Sequence, residues 1–518
     1  MAVGLPPRDY VIEEYTTSLC PACFAERPRR SDEPGTFVDA MLIRRNNKIF
    51  LRRYCPTHGP TESLYEENAD IWKKRDGWAT PTLSITPDRP DNFAGFPDGY
   101  RHGLPASHGQ HTCILLLNVT SHCNFRCPTC FAEALDPGTP IPQPLRPSLE
   151  EINHTVDTMI ERENGRLGVL MLSGGEPTVR KDIEQIIDLL MSKPITRIML
   201  NTNGRRIAKD DNFLKFLEER NTKVEIYLQH DGPDVDAHMH LRGENLIEEK
   251  ALILRRLSQA DVLTTLVMTA KLGVNDDDIG ALAQIALDAP CCSGIAIQPV
   301  FGSGRTSDID PMNRLTPTGA IERLEKQSRG LIKATDFIPL PCSHKDCCDI
   351  AYLIQDKQCN WKSLVDLVGR DELHRWIHLA ANTISFESVS DTVKEMVKDG
   401  VLQRLFSEQN KPSSLKVAAD LFKLCGCIPG VHEAISLISS KSENREKQLR
   451  ELSKKTFRIT TKMFMDVNTF HEARIRQCCV HVGSFEPDPR RYSFCWRWIF
   501  DDAEEFPHFE HLEDHRIL

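Results

Sequence analysis

The sequence predicts an α/β protein: an open, partial (β/α)6 barrel, preceded by a small N-terminal metal-binding module and followed by a mostly helical, cysteine-containing C-terminal region. Three observations predict it. Between residues 112 and 310, apolar runs of strand length alternate with amphipathic helical stretches six times. The cysteines come in tight groups, Cys20/Cys23, Cys123/Cys127/Cys130, Cys342/Cys347/Cys348 and Cys478/Cys479. A Pro/Gly/His-rich stretch with little periodicity, 84–111, reads as a linker between the first group and the repeats.

Residues 1–83 read as short strands, with MLIRR and KIFLRRY lying between two Cys-containing pairs. Cys20-Pro-Ala-Cys23 and Cys55-Pro-Thr-His58 are C-x2-C and C-x2-H knuckles, which together suit one tetrahedral site for zinc or a mononuclear iron. Such a site stabilises a module too small for a good core. Arg27, Arg29, Arg30, Arg44, Arg45, Arg52 and Arg53 raise a nucleic-acid-binding ribbon as an alternative, against which the acidic chain weighs.

The repeats of 112–310 carry strand runs at CILLLNV, VLMLS, RIMLN, VEIYL, LTTLVMT and GIAIQPV. The first intervening helix opens on a capping box at Ser148 and lines up Leu149, Ile152, Val156, Met159 and Ile160 on one face. Such β/α repeats imply a parallel sheet with right-handed crossovers. Six units are too few to close an eight-stranded barrel, and the site is expected at the C-terminal ends of the strands. Residues 311–518 read as helical and irregular, with an amphipathic SLKVAADLFKLCG, a charged SKSENREKQLRELSKK and an acidic tail.

Length bounds the answer to about three domains at ~150 residues each. A net charge of −10 gives no general affinity for nucleic acid. No window approaches the ~18 apolar residues that cross a bilayer, and the N-terminus shows no export pattern; the expected compartment is the cytoplasm, with peripheral membrane contact left open. Without export, eighteen cysteines point to metal ligation rather than disulfides. Cys113, Cys291, Cys292, Cys359, Cys425 and Cys427 read as buried small hydrophobes.

Cys123, Cys127 and Cys130 follow directly on the strand LLLNVT with C-x3-C-x2-C spacing. Three thiolates leave one iron of a [4Fe-4S] cluster without a protein ligand. That iron can chelate the amino and carboxylate groups of S-adenosylmethionine (SAM), whose one-electron cleavage gives a 5′-deoxyadenosyl radical. A structural zinc site wants four ligands, and no partner pair sits at a suitable spacing. One β/α unit on, Ser173-Gly174-Gly175-Glu176-Pro177 ends the next strand. Its glycines let the backbone approach a ligand closely, and Glu176 is expected to help fix the SAM amino group.

With these two motifs, residues 112–305 resemble the radical SAM superfamily. The resemblance implies SAM contacts from Asn201 and Asn203 in NTNG and from Gln229 and Asp231 in YLQHDG, each of which also reads as turn chemistry. Arg242 and Lys250 read as solvated or functional helix residues. After such a core, clustered cysteines suggest an auxiliary Fe–S cluster, with Cys342, Cys347, Cys479 and Cys495 as preferred ligands and core packing as the alternative. No residue is assigned as catalytic.

SLCPACFAE, YCPTHGP, NVTSHCNFRCPTCFAEA, IQPVFGSGR, PCSHKDCC and SFC resemble, within the superfamily, the tetraether lipid synthase and dihydropterin methyltransferase group. This implies C–H activation, including C–C bond formation on lipid chains, or else methylation of a pterin-like small molecule. It also implies a small-molecule or lipid substrate and an electron donor such as ferredoxin or flavodoxin. The chain departs from the group in two places. The stretch just before Cys113 is not cysteine-rich, with His102 or His108 as substitute ligands, and His58 stands where a fourth cysteine would make the N-terminal site rubredoxin-like. A reading from another class is a non-catalytic zinc or nucleic-acid-binding module.

Overall fold

Two sheets carry the chain in a computed structural model that describes residues 9–26, 36–78, 85–136, 139, 146–306, 309–340, 342–355, 360–370 and 454–500. The first is an antiparallel meander of β1 (Val11–Leu19), β2 (Phe37–Arg45), β3 (Lys48–Cys55) and β4 (Gly59–Glu66). Asn46 and Asn47, both at positive φ (50° and 56°), make the two-residue turn between β2 and β3 that suits the twist of a hairpin. One face of this meander buries Leu42, Ile49, Leu51 and Tyr65 against Trp72.

The second sheet holds the six expected strands in sequence order and in parallel: β5 (Ile114–Thr120), β6 (Leu167–Gly174), β7 (Ile195–Thr202), β8 (Val224–Gln229), β9 (Thr264–Ala270) and β10 (Cys292–Pro299). Alternation along each strand sorts the side chains. Leu115, Leu117, Leu170, Leu172 and Leu200 face outward, onto helices 149–162, 183–191, 247–259 and 279–288. Ile114, Leu116, Met171, Met199 and Tyr227 face the barrel interior. The helix at 149–162 opens on the expected capping box between Ser148 and Glu151.

Where the chain beyond residue 310 is described, it carries strands beside short helices, unlike the mostly helical region expected. It supplies β11 (Ile338–Pro339), β12 (Cys348–Gln355), β13 (Trp361–Ser363), β14 (Thr456–Lys462), β15 (Val480–Gly483) and β16 (Arg491–Ser493). β14 pairs parallel to β10, and β15 pairs parallel to β5, so both flanks of the six-stranded core are extended. TFRITTK is rich in β-branched residues that suit a pleated, half-buried surface, which is strand chemistry. Gly294 permits the β10–β14 contact, since a Cβ there would lie 2.2 Å from the Arg458 carbonyl oxygen. The segments read as amphipathic and charged helix (414–426 and most of 440–455), the acidic tail, Cys359, Cys425, Cys427, Arg27, Arg29 and Arg30 lie outside the described residues. Among the described residues no helix is long and apolar enough to cross a membrane.

The stretch read as a linker is packed rather than loose. Tyr100 and Leu104 are buried with Phe470, Ile475, Tyr492 and Trp496 from the far end of the chain. Its aromatic and apolar residues are too sparse for a periodic signal, but they find a C-terminal partner surface.

Candidate active site

Cys123, Cys127 and Cys130 lie on the loop leaving β5 and line a single cavity at the C-terminal ends of the strands. The Phe125 N–H donates to Cys123 Sγ (3.3 Å) and the Ala134 N–H to Cys130 Sγ (3.5 Å), donors that favour thiolates. Burial pushes the Cys123 thiol up to about 12 and also raises Cys127, whose neighbour Arg242 opposes the rise. Loading iron would therefore release these protons. The loop is clamped from outside: Arg305 donates to the carbonyls of Cys127 (3.0 Å) and Ala134, and the Arg305 N–H reaches the Cys130 carbonyl at 2.9 Å. Gly304 lets that segment in, for a Cβ there would sit 2.4 Å from the Phe131 carbonyl oxygen.

Gly174 and Gly175, at the end of β6, line the cavity and also let this loop pack closely against them. A Cβ on Gly174 would lie 2.1 Å from the Thr120 oxygen, and one on Gly175 2.2 Å from that of His122. The Gly175 and Glu176 N–H groups hydrogen-bond to those same carbonyls (2.7 and 2.8 Å). Glu176 lines the cavity too, with its carboxylate held by the protein and Oε2 left with acceptor capacity. Oε1 accepts from Thr178 N, Thr178 Oγ1 and Thr202 Oγ1, and Oε2 from Asn203 N at 2.7 Å. It ties the end of β6 to the end of β7, with Pro177 opening the turn beside it.

A row of polar side chains crosses the strand ends beside the cysteines. Asn201 Nδ2 donates to Ser173 Oγ (2.9 Å), Gln229 Nε2 to Asn201 Oδ1 (2.9 Å) and Arg242 Nη2 to Gln229 Oε1 (3.3 Å). Arg242 is anchored by Asp231, at 2.5 and 2.8 Å. Burial pushes the Asp231 carboxyl up, but the Arg242 guanidinium beside it prevails and holds it below the usual range. Asn203 donates to Asn124 Oδ1 of the cysteine loop (2.7 Å), while its carbonyl accepts from Lys250 Nζ at 2.6 Å. Burial lowers Lys250 to about 8. The row thus brings together Ser173, Asn201, Asn203, Gln229 and Asp231. It adds Arg242, Lys250 and Thr269, which sequence periodicity could not distinguish from solvated or strand positions.

The N-terminal ligands converge. His58 Nδ1 lies 3.6, 3.3 and 3.6 Å from the sulfurs of Cys20, Cys23 and Cys55, and Cys23 and Cys55 are 3.6 Å apart. His58 Nε2 meets Glu26 Oε1 at 3.1 Å, the carboxylate–imidazole arrangement that leaves Nδ1 for a metal. The donor set fits a tetrahedral ion such as zinc.

The C-terminal cysteines do not form the expected quartet. Cys342 and Cys479 gather instead with Cys113, all within 4.8 Å; Cys342 and Cys113 sulfurs lie 3.3 Å apart, and Cys348 packs beside them. Cys113, read as a plain core residue, is therefore a candidate ligand. Cys347 and Cys495 fall on the other side with Cys478 and Arg474, whose Nε donates to Cys347 Sγ at 3.4 Å. Adjacent residues in extended chain point to opposite faces, so Cys347/Cys348 and Cys478/Cys479 are each divided between the two groups. His102 is exposed on its turn. His108 is buried between Tyr100 Oη (3.0 Å), the Cys478 carbonyl (2.9 Å) and His481 (3.3 Å).

The radical SAM superfamily description matches residues 117–286, and that of an HMPTM N-terminal zinc ribbon domain matches 12–67. Over 502 residues, 93% of each chain, the sequence is 28% identical to the 7,8-dihydro-6-hydroxymethylpterin dimethyltransferase of Methanocaldococcus jannaschii. Over 97 residues, 18% of this chain and 27% of the other, it is 36% identical to a GTP 3′,8-cyclase of Haemophilus influenzae. Streptococcus suis SuiB bound to precursor peptide SuiA superposes over 43% of this chain and 46% of that one, at 12% identity and a TM-score of 0.36. The superfamily match opens on β5, the strand whose loop carries the three convergent thiols, and residues 117–286 form a radical SAM domain.

Proposed function

We propose that this enzyme reductively cleaves one SAM to a 5′-deoxyadenosyl radical, which takes a hydrogen atom from a C–H bond of a pterin-like small molecule to give 5′-deoxyadenosine. A methyl group from a second SAM replaces that hydrogen and releases S-adenosylhomocysteine, with two electrons drawn from the external donor. The observation that carries the proposal is the placing of three cysteines and the row Ser173–Asn201–Gln229–Arg242 around one cavity. A [4Fe-4S] cluster on Cys123, Cys127 and Cys130, with SAM on its open iron, supplies one-electron cleavage to a 5′-deoxyadenosyl radical. The protein's residues hold and shield. Asn201 and Gln229 offer polar groups to SAM, and Arg242 provides a fixed positive charge beside Cys127 that suits an anionic cluster or a carboxylate. Arg205 lies over the ring of Phe125, a lining residue of the cavity, at 4.1 Å from its centroid.

The pterin-like substrate is supported by the likeness to the dimethyltransferase over nearly the whole chain. Coupling of lipid chains finds no matching support, since the cavity floor carries Tyr227, Gln298 and Lys462 where a long alkyl chain needs an apolar tunnel. We further propose that the two C-terminal cysteine groups hold separate auxiliary metal centres, and that a small electron-transfer protein of the ferredoxin or flavodoxin kind supplies the electron.

The test is anaerobic reconstitution with iron and sulfide, then reduction with SAM labelled in its methyl group. We expect 5′-deoxyadenosine and, with a dihydropterin present, label in the pterin. Cys127→Ala is expected to lose 5′-deoxyadenosine formation; its persistence would overturn the assignment of this loop.

A further inference from the structure

Below the strand-end row, the cavity continues into the barrel and changes character. Tyr227 of β8, Gln298 of β10 and Lys462 of β14 form its floor, and Phe131, Phe301, Phe464 and Phe494 form one wall. The wall is continuous. Ring centroids lie 4.4 Å apart for Phe464–Phe494, 5.3 Å for Phe301–Phe464 and 5.5 Å for Phe131–Phe301. Neighbouring rings are tilted by 34°, 55° and 40°, so a planar ring can stack on one face at a time while the others line its edge.

The floor is built to read an edge. Gln298 Nε2 donates to Tyr227 Oη at 3.0 Å, which uses one of its two N–H groups and leaves Oε1 as an acceptor beside the Tyr227 O–H as a donor. A lactam edge, with N–H next to C=O, complements that pair. Lys462 supplies the third element. Its Nζ lies 5.6 Å from the Tyr227 ring centroid, and its charged or polar neighbours among the described residues are Tyr227, to which it hydrogen-bonds, Cys348 and Arg458, with no carboxylate among them. Glu225, an acid deeper in the barrel, is held by Arg458 (3.3 Å), Arg197 (3.8 Å) and Thr265 (2.6 Å). Among the described residues no carboxylate pairs with Lys462, so its ammonium is left to face the cavity.

We propose that Tyr227, Gln298 and Lys462 are the specificity-determining residues of the substrate site, and that the substrate is a planar lactam-containing N-heterocycle bearing an anionic substituent, a carboxylate or a phosphate. The inference rests on the function proposed above and narrows it: ring recognition falls to Gln298 and Tyr227, and charge recognition to Lys462. Two of the three residues come from strands of the six-stranded core, and the third from β14, so the site exists only once the chain beyond residue 455 has joined the sheet.

The test is equilibrium dialysis of the reconstituted holoenzyme, with SAM present, against 6-hydroxymethylpterin, pterin-6-carboxylate and palmitate. Wild type is expected to bind the carboxylate tighter than the hydroxymethyl compound. Lys462→Met is expected to lose about 10–100-fold for the carboxylate alone, the range for a hydrogen bond to a charged group. Lys462→Arg should restore the preference, and Gln298→Leu should weaken both pterins about equally. Unliganded thermal unfolding checks that each variant folds. Equal binding of both pterins by wild type, or tighter binding of palmitate than of either, overturns the proposal. A wild type that forms 5′-deoxyadenosine but binds no pterin overturns this inference and leaves radical initiation standing. One that binds pterin but forms no 5′-deoxyadenosine overturns the initiation site instead.

Discussion

Gly175 and Asp466 show how much of the architecture rests on single positions. A Cβ at 175 would lie 2.2 Å from the His122 oxygen, and no side chain can relieve that clash by rotating, since both partners are backbone. Gly175→Ala is expected to displace the 120–123 segment and cost on the order of 2–4 kcal/mol. Iron bound by the loop should fall while the N-terminal site keeps its metal, a difference that elemental analysis reads directly. Asp466 is buried and accepts from Gly302 N (2.9 Å) and Arg314 Nη1 (2.8 Å) on one oxygen, and from Thr469 Oγ1 and Asn468 N on the other (both 3.0 Å). Burial pushes its carboxyl up, but Arg314 and these donors prevail and hold it below the ordinary value. A depressed acid stabilises the fold above its unfolded pKa near 3.9, and that contribution is lost as pH falls through the folded value. Asp466→Asn is therefore expected to cost on the order of 3 kcal/mol at pH 7, with the gap to wild type closing below about pH 4 in denaturant titrations. The three cluster cysteines were legible in the sequence because iron ligation dictates residue type and spacing together. Arg242 and Lys250 were not, because their helices carry charge around most of the circumference and only the tertiary packing decides which charge is buried.

The N-terminal meander depends on its metal and on a seam with the barrel. Its own core is small, so ligation is expected to contribute most of its stability. The seam consists of hydrogen bonds: Thr316 N to Glu67 Oε2 (2.9 Å), Thr318 N to Glu66 Oε2 (3.0 Å) and Leu64 N to the Pro311 carbonyl (2.8 Å). Cys20→Ser is expected to release one metal equivalent and expose the hairpins to limited proteolysis, while cleavage within 112–300 stays at the wild-type rate. An unchanged metal content would show that His58, Cys23 and Cys55 suffice. The two C-terminal cysteine groups make a second prediction, resting on the proposal that each holds its own centre. Cys113→Ala and Cys495→Ala should each remove iron, and the double variant should remove the sum; a double variant no poorer in iron than either single would mean one shared centre. Spacing alone could not divide these cysteines, because adjacent pairs hide which member faces which side. The six core strands, by contrast, were legible from their regular apolar recurrence. β14 and β15 were not, because one is isolated beyond a long insertion and the other is only four residues long.

Ribbon and C-terminal strands meet at one buried guanidinium, and its removal tests whether they act as a unit with the barrel sheet that β12 and β14 extend. Arg75 donates to Glu66 Oε1 of β4 (2.7 Å), to both oxygens of Asp349 of β12 (2.9 and 2.6 Å) and to Asp346 Oδ1 (3.3 Å). Asp346 is further held by Trp72 Nε1 (2.8 Å) and Tyr65 Oη (3.2 Å). Arg75 itself is 3% exposed, so water cannot replace it. Three carboxylates around one cation are tolerable only while that cation is present. Burial already pushes the Asp349 carboxyl up, despite Arg75 beside it. Arg75→Met is therefore expected to cost about 3–5 kcal/mol, the range for stranding buried charge. The stranded acids should take up protons, so the loss is expected to shrink as pH is lowered from about 8 to about 5. Adding Asp349→Asn should recover part of the loss, because it removes one of the stranded charges, and the non-additivity measures the coupling. If the junction joins the three regions, Arg75→Met will also lower the midpoint at which barrel helicity melts, and not only that of the meander. A barrel transition at the wild-type temperature, with the meander melting alone, would show that the seam aligns the parts without stabilising them.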